Sequence, residues 1–253
     1  MKSNLAYFTA HRGSVFIEAW GSLFWGAFAI LAATIMTTRV SSAFGYSRGE
    51  IILISAFFTS FHGLFRGLFA LSFQNLATYA NNAKLDIFLT KPLDIQFLLT
   101  FRHITINRLA RVFIGFLVFI PAVVLYFKIS INLSFTMIIP LLLCAICYVS
   151  IGYSIYMFAS SVIIKNPLLS NVYEFSNNLI GLSRFPSPLY EQFGFIIFYL
   201  VFPFISSSTL AANVLLGKNY GNELLILFFS TLLIFYISRS VFLSSLDKYT
   251  SAN

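Results

Sequence analysis

The sequence predicts an all-α integral membrane protein, and three observations carry that prediction. Hydrophobic residues make up 58% of the 253 residues and charged residues only 9%, whereas a soluble domain carries roughly 25% charged residues. Apolar runs of about 20 residues, the length that crosses a bilayer as a helix, recur along the chain. Lys and Arg number 16 against 8 Asp and Glu, but basic residues of membrane proteins collect in cytoplasmic loops. This excess therefore does not indicate nucleic-acid binding.

The N-terminal segment, residues 1–17, is predicted to be an interfacial helix, since its apolar residues fall broadly on one helical stripe. A frayed leader is the alternative interpretation. A cleavable signal peptide is not expected, because the first apolar run begins late, near Trp20, and extends to about Met36. We interpret residues 1–253 as a single transmembrane domain.

Hydropathy defines most of the spans and leaves one undecided. The defined spans are residues 18–36, 51–73, 109–127, 135–163 and 224–242. With both termini cytoplasmic, most basic residues fall on the cytoplasmic side, as the positive-inside rule requires. This orientation needs an even number of crossings. A sixth span is therefore predicted within either 168–182 or 193–209, and the other segment is predicted to be re-entrant.

Residues 84–101 mix charged and apolar residues at helical spacing and form a predicted cytoplasmic segment inside the loop 74–109. Pro92 is expected to end a first short helix, and Asp94 to cap a second one. Apolar side chains share one face of each helix; they are Leu85, Phe88 and Leu89, and then Phe97 and Phe101. Such a face suits a groove on a soluble partner. A helix that only floats among lipid headgroups is the alternative.

A few polar residues lie at the depth of the spans. His62 and Arg66 are four residues apart and share a helix face. A charge at mid-bilayer costs about 2.5–3.5 kcal/mol on insertion scales, so this face should meet protein or water; alternatively, Arg66 snorkels to the headgroups. Asn171, Glu174 and Asn178 recur at intervals of three and four and also share a face.

Residues 183–209 are irregular for a membrane segment. Pro186 and Pro188 lie close together, and the apolar run that follows is interrupted at Pro203 and again at residues 206–209, Ser-Ser-Ser-Thr. Irregular backbone survives at membrane depth only where protein or a water-filled cavity covers it. We therefore predict a broken, re-entrant element on the outer side, before the last span.

Motifs for chemistry within the chain are not found. The sequence has no Gly-x-x-x-x-Gly-Lys-Ser/Thr loop, no His-Glu-x-x-His and no Gly-x-Ser-x-Gly. Cys144 and Cys147 fall inside an apolar run, which favours buried hydrophobes over a metal site or a disulfide. We expect no enzyme activity and no cofactor in this chain. A gradient-driven carrier or channel stays open, although few ionisable groups lie at span depth.

Two motifs resemble a known family. Residues 85–92, Leu-Asp-Ile-Phe-Leu-Thr-Lys-Pro, are similar to the Leu-Asp-x-x-Leu-x-x-Pro signature of ABC-2 type permeases, in the subfamily of small exporter membrane subunits. Residues 183–190, Ser-Arg-Phe-Pro-Ser-Pro-Leu-Tyr, resemble that subfamily's arginine/aromatic, proline and tyrosine element. Asn82-Ala83 replaces a common Gly before the first motif, and Glu191 follows the Tyr where a Pro is frequent.

The resemblance implies the ABC-2 type exporter fold: six spans with a coupling helix and outer re-entrant helices. It implies a permease in a bacterial inner membrane that forms a homodimer or heterodimer, exports its cargo, and binds two ATPase subunits, which carry ATP and Mg²⁺. The cargo is not identified. The expected ATPase-coupling residues are Leu85, Asp86, Phe88, Leu89, Lys91, Pro92 and Phe97. The expected outer-gate residues are Arg184, Pro186, Tyr190 and Pro203. The expected translocation-path residues are Glu174, Asn178 and His62.

Overall fold

The computed structural model describes most of the chain from residue 42 onward. The described residues are 42–43, 45–82, 85–102, 112, 115–116, 120–129, 134–166, 168–169, 171–191, 194 and 202–247, with scattered positions between 13 and 35. The predicted interfacial helix and the predicted spans 18–36 and 109–127 lie largely outside these residues.

The described elements are named here in chain order. They are β1 (Ser42–Ala43), β2 (Tyr46–Ser47), α1 (Arg48–Phe65), a π-turn (Arg66–Ala70), α2 (Leu71–Asn81), α3 (Asp86–Leu89), α4 (Ile95–Thr100), α5 (Ile120–Tyr126), a 3-10 turn (Phe135–Met137), α6 (Ile138–Lys165), α7 (Val172–Ile180), a second 3-10 turn (Gly181–Arg184), α8 (Pro188–Glu191), α9 (Phe204–Leu216) and α10 (Gly221–Asp247). We call residues 85–102, with α3 and α4, the elbow.

Within the described residues, three helices are long and apolar enough to cross a membrane, and they match three predicted spans. They are Arg48–Ala80, Phe135–Lys165 and Gly221–Asp247. The first is a continuous rod of α1, the π-turn and α2, and 83% of its apolar window is buried within the protein, against 28% and 22% for the other two. The rod is therefore the centre of the fold, and the other two helices present apolar side chains outward, as lipid-facing helices do.

The rod is longer than the span predicted at 51–73. Its 33 residues measure about 50 Å at 1.5 Å per residue, whereas the hydrocarbon core is about 30 Å thick. The helix continues to Asn81, so the segment predicted as a cytoplasmic loop from residue 74 begins as a helix. Leu76 and Ala80 are both buried, and their packing keeps the helix going where the local sequence turns polar.

The long helices run in the same direction. Phe58 and Tyr148 lie in the first halves of the rod and of α6, with ring centroids 6.5 Å apart, and Phe73 and Tyr156 lie further along the rod and α6, 5.9 Å apart. α10 is parallel to them, because it begins beside the start of α1 and reaches the elbow late in its length. Parallel neighbours require the chain to cross back between them.

Hydrogen bonds trace one return crossing. The Tyr173 and Ser160 hydroxyls are 2.9 Å apart, near the end of α6. The backbone carbonyl of Arg184 accepts from the Ser55 hydroxyl at 3.1 Å, near the start of α1. The segment from α7 to the second 3-10 turn therefore carries the chain from the Lys165 end back to the Arg48 end. Of the two segments left open by hydropathy, 168–182 runs in this direction, and much of 193–209 lies outside the described residues.

The sequence predicted an interruption at the Ser-Ser-Ser-Thr run, residues 206–209. This prediction was wrong, because α9 continues through the run. The Ser206 hydroxyl donates to the Pro203 carbonyl at 2.8 Å and the Ser207 hydroxyl to that of Phe204 at 2.6 Å. A serine hydroxyl can satisfy its hydrogen-bonding capacity on its own helix in this way. Small side chains also let helices approach closely. The 13 residues of α9 span about 20 Å, too short for a full crossing.

The Arg48 end is closed by a polar cluster. Ser47 and Glu50 form a capping box at the start of α1, and Glu50 pairs with Lys218 at 2.9 Å. Lys218 also lies over the ring of Tyr46, 4.3 Å from its centroid. Gly217 ends α9 with a φ of 68°, a left-handed conformation that favours glycine. This cluster joins the end of α9 to the start of the rod.

We predict that Gly152→Leu lowers the thermal stability of the purified protein. A Cβ at Gly152 would stand 3.1 Å from the ring of Phe65, where α6 meets the rod, and overpacking of this kind costs about 1–3 kcal/mol. The melting temperature in detergent should fall by several degrees. Gly181→Leu is the control, because a Cβ there meets nothing within 4 Å. Equal melting temperatures for both variants would contradict close packing at Gly152.

Candidate functional site

The elbow has the two short helices that its sequence predicts. α3 ends before the bend at Pro92, across which the backbone N–H of Leu93 donates to the carbonyl of Lys91 at 2.9 Å. Asp94 precedes α4, and its side chain accepts from the backbone N–H of Phe97 at 3.1 Å. The predicted cap is confirmed. The elbow therefore owes its shape to one proline and one capping carboxylate.

The apolar face of α3 points into the protein. Leu85 and Phe88 are buried; the Phe88 ring packs against Tyr79 with centroids 5.3 Å apart, and Arg102 lies over the same ring at 5.0 Å. Leu85 and Phe88 are therefore turned away from the surface, and their role in coupling stays a prediction. The sequence predicted a loop where α2 continues to Asn81. The continued helix covers the side chains of Leu85 and Phe88.

A different set of apolar residues covers the outside of the elbow. Ile87, Leu93 and Phe97 are each 59% exposed, and Leu89 and Phe101 are partly exposed. We call these five residues the elbow patch. Of the sequence-predicted coupling residues, Leu89 and Phe97 belong to it. Elsewhere in the elbow, Lys91 and Pro92 are exposed and Asp86 is half-buried.

A polar network ties the elbow to the two other long helices. The guanidinium of Arg239 in α10 donates to the Asp94 carboxylate at 2.7 Å and to the Gln96 side-chain oxygen at 2.6 Å. The Gln96 side-chain amide donates in turn to the hydroxyl of Tyr153 in α6, at 2.7 Å. We call these four residues the latch. The two terminal nitrogens of the guanidinium donate to two different side chains, which fixes its orientation as well as its distance, so the latch sets the position of α4 against α6 and α10.

The latch is charged under ordinary conditions. The hydrogen bond from Arg239 lowers the pKa of Asp94 below its ordinary value, and the backbone N–H of Phe97 contributes in the same direction. A carboxyl group with a lowered pKa stays ionised at neutral pH and below. The charged partner that Arg239 needs is therefore present throughout the physiological pH range.

Sequence reasoning missed the latch, although one signal was available. Arg239 lies inside the predicted span 224–242, where a charged side chain is expensive and is usually paired. Its partners are about 145 positions away along the chain, and no local pattern connects them. Gln96 and Tyr153 carried no signal of their own.

A polar cavity of about 440 Å³ lies between the rod and α7. Its lining residues are Arg66, Gln74, Asn171, Tyr173, Glu174 and Asn177. Of the path residues that the sequence predicts, Glu174 is here. Asn178 is exposed on the same helix without lining the cavity. His62 lies elsewhere: it is buried, and its ring stacks on Phe58 at 5.2 Å. The structure therefore does not bring the three together.

The predicted outer-gate residues lie toward the Arg48 end. Arg184 stands over the ring of Phe58 at 5.1 Å, the same ring that His62 stacks on. The Tyr190 hydroxyl donates to the carbonyl of Leu182 at 3.0 Å. Pro186 is buried, and Pro203 comes directly before α9. These contacts hold the end of the return crossing against α1.

One comparison with known proteins gives a match. A family model described as an ABC-2 family transporter protein matches residues 23–253, which is most of the chain. No curated protein and no solved structure matches the chain at significant similarity. The match includes the elbow, the latch and the polar cavity.

Proposed function

Because the chain belongs to the ABC-2 family of transporter proteins, we propose that it is the membrane permease of an ATP-driven exporter, worked through its elbow. Membrane proteins of this family are permease subunits of ABC transporters, and their ATPase lies in a separate subunit. In this proposal residues 1–253 form one permease domain, with residues 83–101 as its coupling region and residues 183–209 as its outer re-entrant region.

The observation that carries the proposal is the exposed elbow patch on an otherwise anchored elbow. The buried side of α3 fixes the elbow to the rod through Phe88, which packs against Tyr79 of α2, while Ile87 and Phe97 stay exposed. Exposed apolar side chains on a short helix suit a groove on a soluble protein. Closure of the ATPase around ATP and Mg²⁺ pushes this patch, and the latch passes the displacement to α6 and α10.

The assembly follows from the same proposal. Two ATPase subunits and a second permease, the same chain or a related one, complete the transporter in a bacterial inner membrane. Both termini lie in the cytoplasm with the elbow, in agreement with the positive-inside rule. Cargo passes between the two permeases, past Glu174 and then past Arg184, Pro186, Tyr190 and Pro203 at the outer side.

Purification of the tagged chain from its native membranes tests this function. We expect a protein with an ATP-binding loop to copurify, and the reconstituted complex to move cargo outward only when ATP and Mg²⁺ are present. The chain reconstituted alone, with an ion gradient and no ATP, is the comparison. Gradient-driven transport by the chain alone would overturn the proposal and establish a secondary carrier or channel instead.

A further inference from the structure

The polar cavity is formed at the π-turn of the rod, Arg66–Ala70. Arg66 begins that turn and Gln74 lies in α2, eight positions later. In an uninterrupted α-helix of 3.6 residues per turn, eight positions leave two side chains about 80° apart. The wider winding of a π-turn compensates for this difference, so both residues line one cavity. Single π-turns inside α-helices occur frequently at functional sites.

The cavity holds two opposite charges that do not pair with each other. Arg66 and Glu174 both line it, but the ion pairs within 4.0 Å among the described residues are Lys218–Glu50 and Arg239–Asp94. Glu174 is exposed and Arg66 is half-buried, so both charged groups are accessible to a ligand. A site that keeps them separate is complementary to a ligand with both charges, arranged in the opposite order.

An unsatisfied acceptor lies on the Glu174 side of the cavity. The side-chain oxygen of Asn177 is buried and has no hydrogen-bond partner, which is unfavourable for a polar atom. Asn177 follows Glu174 by three positions on α7, so the two side chains are neighbours on one helix face. An ammonium group supplies several N–H donors and a positive charge, and would satisfy both the amide oxygen and the carboxylate.

Apolar side chains near α7 could accept the rest of a lipid. Leu168, Leu169 and Phe175 are exposed beside the polar lining residues, and the cavity volume of about 440 Å³ falls within the usual range for small-molecule sites. We infer that this cavity binds a zwitterionic ammonium–phosphate headgroup, with the phosphate at Arg66 and the ammonium at Glu174 and Asn177. This inference names the cargo class and rests on the proposed function.

Lipid retention by the purified transporter tests the inference. The probes are phosphatidylethanolamine, phosphatidylglycerol and diacylglycerol, each added in detergent and measured by native mass spectrometry. We expect phosphatidylethanolamine to be retained about tenfold more than either of the others. Glu174→Gln should lower its retention to the phosphatidylglycerol level, Glu174→Asp should restore most of the preference, and Arg66→Gln should lower retention of both phospholipids.

The control is Glu223→Gln, which removes a carboxylate from the first turn of α10, outside the cavity, and should leave the preference unchanged. Competition by free phosphoethanolamine would show that the headgroup alone is recognised, and failure to compete would show that the acyl chains are also needed; both support a zwitterion site. Equal retention of the three lipids, or an unchanged preference in Glu174→Gln with normal gel filtration, would overturn the inference.

The two proposals can fail separately. Lipid retention is measured without ATP. ATP-driven transport with no zwitterion preference would therefore reject the cargo class and leave the exporter function standing. A zwitterion preference in a chain that binds no ATPase would reject the exporter function and leave the site standing.

Discussion

Replacing both Ile87 and Phe97 with aspartate is expected to abolish copurification of the ATPase and, with it, ATP-driven transport. Each is 59% exposed, so a charge there does not disturb the interior. Hot-spot residues at protein interfaces contribute about 2 kcal/mol or more each, and loss of two should weaken association by several hundred-fold or more. Copurified ATPase per permease, measured by quantitative mass spectrometry, gives the result.

Two other variants serve as controls for this experiment. Tyr126→Asp places the same charge on a residue that is 81% exposed at the end of α5 and should leave the ATPase bound. Phe88→Asp buries a charge against Tyr79 and Arg102, and should lower the melting temperature as well as association. If Ile87→Asp with Phe97→Asp retains the full amount of ATPase, the elbow patch is not the docking surface.

Replacing Arg239 with methionine is expected to separate ATP hydrolysis from transport. Methionine keeps much of the length of arginine but removes the donors to Asp94 and Gln96, so the elbow loses its connection to α10. Because the elbow patch is untouched, the ATPase should still bind and hydrolyse ATP, while cargo moved per ATP falls by about tenfold or more. Hydrolysis and transport measured on the same proteoliposomes give this ratio.

The matched comparison for Arg239 is Lys218→Met, which removes the other ion pair of the described residues, at the opposite end of the fold. It should change the ratio of transport to hydrolysis much less. A double variant that exchanges the charges, Arg239→Asp with Asp94→Arg, should recover part of the coupling. An unchanged ratio of transport to hydrolysis in Arg239→Met would show that the latch does not couple the two.

The latch also predicts how coupling depends on pH. The pKa of Asp94 is lowered in the folded protein, so its contribution to stability is present above the ordinary carboxyl pKa and is lost only as the pH falls through the lowered value. The ratio of transport to hydrolysis should therefore not depend on Asp94 protonation between about pH 5 and 8. A loss of coupling near pH 6.5 that disappears in Asp94→Asn would contradict this assignment.

Local rules predicted the parts of the fold that local chemistry decides. The Asp94 cap and the bend at Pro92 depend only on neighbours in sequence. Asn166 has a φ of −144° and ends α6, in the extended backbone that a following proline favours. The matches of α6 and α10 to predicted spans follow from apolar length alone.

Tertiary contacts decided the rest. Leu85 and Phe88 form an apolar face that suits a partner or the protein itself, and only the extension of α2 to Asn81 selects the second. Ser206 and Ser207 predict a helix break from the sequence. Their hydroxyls instead donate to backbone carbonyls close by in the chain, which keeps the helix intact. Arg66, rather than His62, shares a cavity with Glu174, because the His62 ring packs against Phe58 and the Tyr148 hydroxyl instead.

The π-turn also determines where a push on the elbow is absorbed. Regular helices such as α1 and α2 are stiff along their axes. We expect the rod to twist most easily at the altered winding of Arg66–Ala70. Force applied at the elbow is expected to move α2 as a rigid body and to deform the helix at the π-turn. The first side chain to swing would be Arg66, so mechanical input and cargo affinity would meet at a single residue.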